Sequence, residues 1–250
     1  MDDFILATEG LTKEFAGFTA VRAVDLKVRR GTIHALIGPN GAGKTTVFNL
    51  LTKFLEPTAG RIVFNGRDIT REEPASVARL GMVRSFQISA VFPHLSVREN
   101  VRVALQRPLG TSFQFWRSER SLSALNAAVD ALLADVGLEH WAAAPAIELP
   151  YGRKRALEFA TTLALEPELM LLDEPTSGLG REDIGRIAAL IRRAAEHRTV
   201  LMVEHNLSVV SDLSHSITVL TRGQVLAEGS YAEVSENPLV REAYLGTGDA

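Results

Sequence analysis

The chain has 250 residues, a length that fits one α/β domain or one domain with an inserted lobe, and its 46% of hydrophobic residues supplies a core and excludes disorder. A formal net charge of −3 offers no basic field for nucleic acid, and the lack of any cysteine removes disulfides, thiolate catalysis and cysteine metal sites together. No apolar run approaches the length of a membrane span, and MDDFILATEG carries no basic region followed by an apolar stretch, so the expectation is a cytoplasmic chain that does not cross a bilayer by itself.

In the first thirty residues, Phe4–Leu6 and Ala23–Val28 read as short strands. Ile33–Ile37 reads as a buried strand, and GPNGAGKTT follows from Gly38 to Thr46, matching the phosphate-loop pattern G-x-x-x-x-G-K-[ST] at every specified position. Thr45–Leu51 can continue as a helix, which completes the strand–loop–helix context of that motif. The loop names its ligand as a nucleoside triphosphate with magnesium. Gly38, Gly41 and Gly43 let backbone N–H groups approach phosphate oxygens, and the helix N-terminus adds partial positive charge. Lys44 is expected to reach the β- and γ-phosphates and the Thr45 hydroxyl to hold magnesium.

Further along, Ile62–Phe64 looks like a strand entering a tight turn at Asn65-Gly66, and Met82–Phe86 like another buried strand. Ser96 and Glu99 form a capping-box pattern ahead of Val97, Val101, Ala104 and Leu105 at helical spacing. A second apolar stripe runs from Leu125 to Val136 and stops at Gly137. Residues 96–148 are therefore expected to be a helical lobe inserted between an α/β core of 1–95 and 149–250. Strand–helix alternation then resumes: Leu169–Leu172 is a strand, Ile184–Ala195 a helix with acids at its start and bases near its end, Thr199–Val203 a strand, and Arg222-Gly223 the turn of a hairpin. This alternation predicts a mainly parallel sheet with helices on both faces.

Asp173 and Glu174 end an apolar strand. Beside a phosphate loop the first carboxylate can hold magnesium through water and the second can orient or deprotonate the attacking water. His205, at the end of the strand at Thr199–Val203, reads by itself as a surface residue.

Between the two nucleotide motifs lies LPYGRKRALEFATTLALEPELMLLDEP, from Leu149 to Pro175. Here the chain resembles the ATP-binding subunits of ABC transporters, in which a signature of LSGGQ type precedes the second motif, and the resemblance covers nearly the whole chain. It implies a P-loop NTPase core with an N-terminal antiparallel β region and the inserted helical lobe, the whole being one nucleotide-binding domain. It makes Gly38, Pro39, Asn40, Gly41, Ala42, Gly43, Lys44, Thr45 and Thr46 the nucleotide loop, and Phe15 the aromatic that stacks on adenine. Gln87 becomes the glutamine that couples magnesium and water to the transmembrane partner, and His205 the switch histidine on the γ-phosphate. Leu149, Pro150, Tyr151, Gly152 and Arg153 become the signature that completes the partner's ATP site, and Ser177–Gly180 the D-loop. EFAGFTAVRAVDL, VRSFQISAVFPHLSVRENV and the ending VREAYLG resemble more particularly the ATPases of branched-chain amino-acid uptake systems.

Three positions depart from the family pattern. Pro150 stands where the signature has serine and lacks both a hydroxyl and an N–H, although proline suits a first helical turn. Arg153 replaces the usual glutamine; at a helix N-terminus a cation needs an anion nearby, so it faces either ATP or solvent. Gly180 replaces the carboxylate common at the end of the D-loop. Phe113, Phe115 and Trp116 cluster in the lobe, either as ordinary packing or as an apolar surface for a membrane subunit's cytoplasmic helix.

The resemblance implies an ATP- and Mg2+-dependent ATPase subunit of an importer for branched-chain amino acids or related solutes, bound peripherally at the cytoplasmic face of the inner membrane. Its partners would be a second ATPase subunit, a paralogue in preference to an identical copy, two transmembrane permease subunits and, indirectly, a solute-binding protein, with no nucleic acid. The alternatives are an exporter ATPase for lipid-linked material, a soluble ABC protein acting on ribosomes or DNA, and a small-molecule kinase on the same phosphate loop.

Overall fold

The computed structural model describes residues 3–85, 91–107 and 125–245. The first strand, β1 (Phe4–Phe15), is longer than its opening apolar triplet predicts and turns back at Ala16-Gly17, with φ of 43° and 90°. β2 (Phe18–Val24) and β3 (Lys27–Arg29) both pair antiparallel with β1, so the expected strand at Ala23–Val28 is broken at Asp25 and Leu26. β4 (Ile33–Ile37) is buried at every residue and leads through the glycine-rich loop into α1 (Lys44–Leu51). β5 (Ala59–Phe64) then joins β1, and the expected turn at Asn65-Gly66, with φ of 50° and 74°, delivers β6 (Arg67–Asp68). These strands form an antiparallel sheet in the order β2-β1-β5-β6, with β3 also on β1.

After α2 (Pro74–Arg79) comes β7 (Met82–Ser85); Phe86, placed in the same strand from the sequence, lies outside the described residues. α3 (Val97–Leu105) starts at the expected capping box: the Glu99 N–H donates to Ser96 Oγ at 3.2 Å and the Ser96 N–H to Glu99 Oε2 at 2.7 Å. α4 (Asn126–Asp135) stops at Gly137, whose φ is 67°, with the Leu138 N–H reaching back to the Leu133 carbonyl at 2.8 Å. α5 (Tyr151–Leu163) packs on α3 and α4. The helical unit is accordingly wider than the 96–148 lobe drawn from periodicity: it takes in Ser85–Pro167 and Thr176–Leu190.

The other unit runs up to Arg84, includes Glu168–Pro175 and resumes at Ile191. To it belong β8 (Leu169–Asp173), the end of α6 (Arg181–Ala195), β9 (Thr199–Val203), α7 (Leu207–Leu213), the hairpin β10 (Ser216–Thr221) and β11 (Gln224–Gly229), α8 (Tyr231–Glu236) and α9 (Pro238–Leu245). Its second sheet has the order β11-β10-β4-β9-β8-β7, with β10, β4, β9 and β8 mutually parallel and only β11 shown antiparallel. β8 and β9 are, like β4, buried throughout, which is why their sequences lack a polar face. Phe48, Leu50 and Leu51 of α1 pack with Leu36, Leu171 and Leu201 in one core.

His34 is a polar residue inside this apolar layer. Its Nδ1 is 2.8 Å from Ser216 Oγ and its Nε2 is 2.8 Å from Thr218 Oγ1, which in turn donates to Glu228 Oε2 at 3.3 Å. Burial pushes the imidazole down to about 4. The unfolded chain therefore binds a proton at His34 between pH 6.5 and 4 that the folded chain refuses, and stability is lost as pH falls through that window. We expect about 2 kcal/mol to be lost between pH 7.5 and 5 through this group. Urea unfolding of the parent and His34→Gln at both pH values isolates it, since the variant keeps the carboxylate titrations and should lack this part of the slope.

Candidate functional site

Parallel pairing sets Leu36 level with Val203, and Val203 level with Asp173, so the C-terminal ends of β4, β9 and β8 meet at one edge of the sheet. Three segments emerge there: the loop from Gly38, the Asp173-Glu174 pair and the Glu204-His205 pair. Such an edge is where open α/β sheets hold their ligands.

The loop is built around two glycines that accept no side chain. At Gly38, with φ of 151°, a Cβ would stand 2.1 Å from the Leu220 carbonyl oxygen, and at Gly43, with φ of 100°, 2.7 Å from that of Ala20. The β10–β11 turn grips the loop from outside, the Gly223 N–H donating to the Ala42 carbonyl at 3.0 Å. No side chain caps the first turn of α1 and no acid stands in it, which leaves its N–H groups and partial positive charge to the loop. The Lys44 ammonium curls back over the loop and donates to the carbonyls of Gly38 at 2.6 Å and Pro39 at 2.9 Å. Burial pulls its pKa below the ordinary lysine value, and the nearby Glu174 and Asp173 act in the opposite sense. Thr45 is exposed on the first turn. Free helix N–H groups and one ammonium gathered on a single loop are the chemistry that suits an anion.

Asp173 is almost fully enclosed, its side chain 3% exposed, and Arg84 of β7, 11% exposed, pairs with its Oδ2. The same guanidinium donates to Asn49 Oδ1 at 2.6 Å and lies over the Phe48 ring at 5.7 Å, so it ties β7 and α1 to the end of β8. Sequence reasoning missed Arg84; a lone charge inside the apolar run GMVRSF was the available signal. Glu174 adopts a left-handed backbone, φ 48°, fixed by its N–H donating to the Val203 carbonyl at 2.9 Å. Its Oε2 lies 4.0 Å from Nδ1 of His205, which is 60% exposed. His205 thus stands beside Glu174. Gln87 lies outside the described residues, as do Phe113, Phe115 and Trp116.

Phe15 sits at the end of β1, 42% exposed, with the Lys13 ammonium 5.2 Å from its ring centre. Phe18 pairs with it across the turn and is more exposed at 68%, a second ring that the sequence reading did not single out.

In the helical unit, Pro150 is the N-cap residue of α5, one position before the first turn in which the sequence reading set it, and the Lys154 N–H donates to its carbonyl at 2.9 Å. Leu149 is buried and Tyr151 exposed, its hydroxyl donating to the Ser177 carbonyl at 3.3 Å. Gly152 is buried against the Asp183 carboxylate, 2.3 Å from where a Cβ would be. Arg153 donates to the Gly137 carbonyl at 2.9 Å on the exposed surface. Gly180 supplies the carbonyl that accepts from Ile184 N–H at the start of α6.

Residues 21–177 match the family described as ABC transporter, and residues 224–250 a second one described as branched-chain amino acid ATP-binding cassette transporter. The chain belongs to the ABC transporter ATP-binding family. It is 40% identical over 252 residues to the high-affinity branched-chain amino acid transport ATP-binding protein BraF of Pseudomonas aeruginosa, covering 97% of this chain and 98% of that one. With LivG of Escherichia coli, a protein of the same description, it shares 37% over 254 residues, 98% of this chain and 99% of the other. A solved ABC ATP-binding cassette in its ADP conformation superposes with a TM-score of 0.84 at 30% identity, over 97% and 99% of the two chains, and a nucleotide-free cassette with 0.83 at 29%, over 96% and 98%. This ABC protein is an ATPase, and the resemblance stated from its sequence is borne out. Among the described residues no helix is long and apolar enough to cross a membrane.

The buried ion pair of this ABC ATPase has a measurable consequence. Arg84→Gln should cost about 3–5 kcal/mol, because it removes one partner of a buried ion pair. Urea unfolding of Arg84→Gln and of Arg84→Gln/Asp173→Asn tests this: the double variant should recover much of the loss.

Proposed function

We propose that the chain, residues 1–250, acts as the single nucleotide-binding domain of an ABC importer for branched-chain amino acids or chemically related solutes, working as a peripheral subunit at the cytoplasmic face of the inner membrane with two permease subunits, and served indirectly by a solute-binding protein. One observation carries this reading: identity of 37–40% with branched-chain amino acid transport ATP-binding proteins extends over 97–98% of the chain.

The roles follow from the geometry. The loop from Gly38 to Thr46 takes the phosphates, with Lys44 exchanging the Gly38 and Pro39 carbonyls for β- and γ-phosphate oxygens. Phe15 offers an exposed face to adenine. Glu174, held by its backbone at the strand end, orients and deprotonates the attacking water, and His205 donates to the γ-phosphate from beside it. The oxygen donors of Thr45 and Asp173 suit Mg2+ and would hold it together with phosphate oxygens and water. When bound, magnesium offsets the charge that develops on the phosphates. Gln87 retains its sequence-based role as the link to magnesium, water and permease.

The second half of each ATP site comes from the signature at Leu149–Arg153 of another subunit. Pro150 supplies neither hydroxyl nor N–H to a γ-phosphate, and Gly180 supplies no carboxylate to the D-loop. A homodimer carries both deficits twice, so the second ATPase subunit is a paralogue with a complete signature.

Glu174→Gln should lower turnover by about 10²–10⁴ while ATP still binds. In proteoliposomes holding the whole transporter, the parent's ATPase rate should rise with leucine-loaded solute-binding protein, and the variant's should not. A parental rate in the variant removes Glu174 from its role, and an ATPase indifferent to branched-chain amino acids removes the solute class. Light scattering of Glu174→Gln with ATP, alone and mixed with the paralogue, decides the dimer: equally tight self-association with no preference refutes the heterodimer.

A further inference from the structure

Arg84 is a lone charge in the apolar run GMVRSF, and none of the roles above uses it. The two side chains assigned to magnesium stand on different elements, Thr45 on the first turn of α1 and Asp173 at the end of β8. Magnesium tolerates little departure from octahedral geometry, so the spacing of those elements matters to it. β7 lies beside β8 in the sheet, and from it the Arg84 guanidinium spreads its terminal nitrogens over both elements. Nη2 pairs with Asp173 Oδ2, and Nη1 donates to Asn49 Oδ1 at 2.6 Å. Asn49 follows Thr45 by four residues, so the two share one face of α1 a single turn apart.

Stability alone is a poor reason for such a residue. A buried ion pair gains little over apolar side chains of the same volume. Arg84 carries a further cost, since its Nε is buried with no hydrogen-bond partner among the described residues. What an apolar residue cannot reproduce is the planar fork, which joins two acceptors in one fixed geometry. The Phe48 ring, its centre 5.7 Å from the guanidinium carbon, packs against that fork. We propose that Arg84 is a positioning residue for the metal of the ATP site, holding Asp173 and the Thr45 face of α1 in the mutual register that magnesium needs. This rests on the reading of Thr45 and Asp173 as the magnesium donors. Arg84 touches neither metal nor nucleotide in this role. Its own charge opposes a cation, so its contribution to metal affinity comes from geometry. Groups that orient metal ligands in this way are worth about 10–100-fold in metal affinity.

Asn49→Ala keeps the ion pair and cuts its tie to α1, whereas Arg84→Lys keeps the charge and loses the fork. Binding of a non-hydrolysable ATP analogue to the full chain is measured by calorimetry in excess Mg2+ and again in EDTA. The ratio of the two affinities is the metal's share of binding. In both variants that ratio should shrink by about tenfold, through weaker binding in Mg2+, while the affinity in EDTA holds. A parental ratio in either variant overturns the proposal, and so does an equal loss in Mg2+ and in EDTA, the mark of a residue that only supports the fold. Asn49→Ala, which spares the buried pair, decides alone if Arg84→Lys does not fold. Asp173→Asn in the same assay separates the two readings. If its ratio is parental, Asp173 holds no metal and both fall; if its ratio collapses while that of Asn49→Ala is parental, the role of Arg84 alone is lost.

Discussion

Because β4, β9 and β8 run parallel and are buried along their whole length, their charged side chains can stand only where the strands end, and the pairing of Leu36 with Val203 and of Val203 with Asp173 brings those ends level. A slip of one residue in either pairing would carry Asp173 away from the edge and point it to the opposite face of the sheet. The site therefore inherits its accuracy from the core: Leu169–Leu172 and Val200–Val203 are apolar for packing, and that packing spaces the loop, the acids and His205.

Charge at this edge is balanced within the unit that carries β4, β8 and β9. Asp173 is met by Arg84, and Lys44 feels both Asp173 and Glu174 while its protons rest on loop carbonyls. Attraction to such a partner offsets part of the desolvation cost that a buried carboxylate carries. Arg84 also bonds Asn49 beside Phe48, so the balance is mechanical too: a shift of β7 is felt at α1 and at the end of β8 together.

Much of this was legible in the residues, for reasons that differ by element. The phosphate loop announces itself because Gly38 and Gly43 are dictated by backbone contacts with Leu220 and Ala20 that no other residue survives. The capping box at Ser96 and Glu99, the stop at Gly137 and the turns at Asn65-Gly66 and Arg222-Gly223 are local chemistry, and local chemistry reads directly. What could not be read depends on distant partners. Gly10 and two irregularities between Leu11 and Glu14 break the alternation of β1 and hide its length, and Ala16 takes a left-handed turn position with no glycine of its own to mark it. Arg153 finds a carbonyl sixteen residues upstream, at the end of another helix, where reasoning about its own helix dipole could not look. α5 sides with α3 and α4 for the same reason: packing between helices leaves no mark on their separate periodicities.

The left-handed backbone of Glu174 sets function against robustness. A non-glycine residue in that conformation gives up about 1 kcal/mol, and glycine in its place would be free of the strain. An engineer selecting this chain for heat resistance alone would thus be led to Glu174→Gly, a change that on the role proposed for Glu174 removes the carboxylate that activates water. Any stabilisation campaign has to hold position 174 fixed and look elsewhere for its gains.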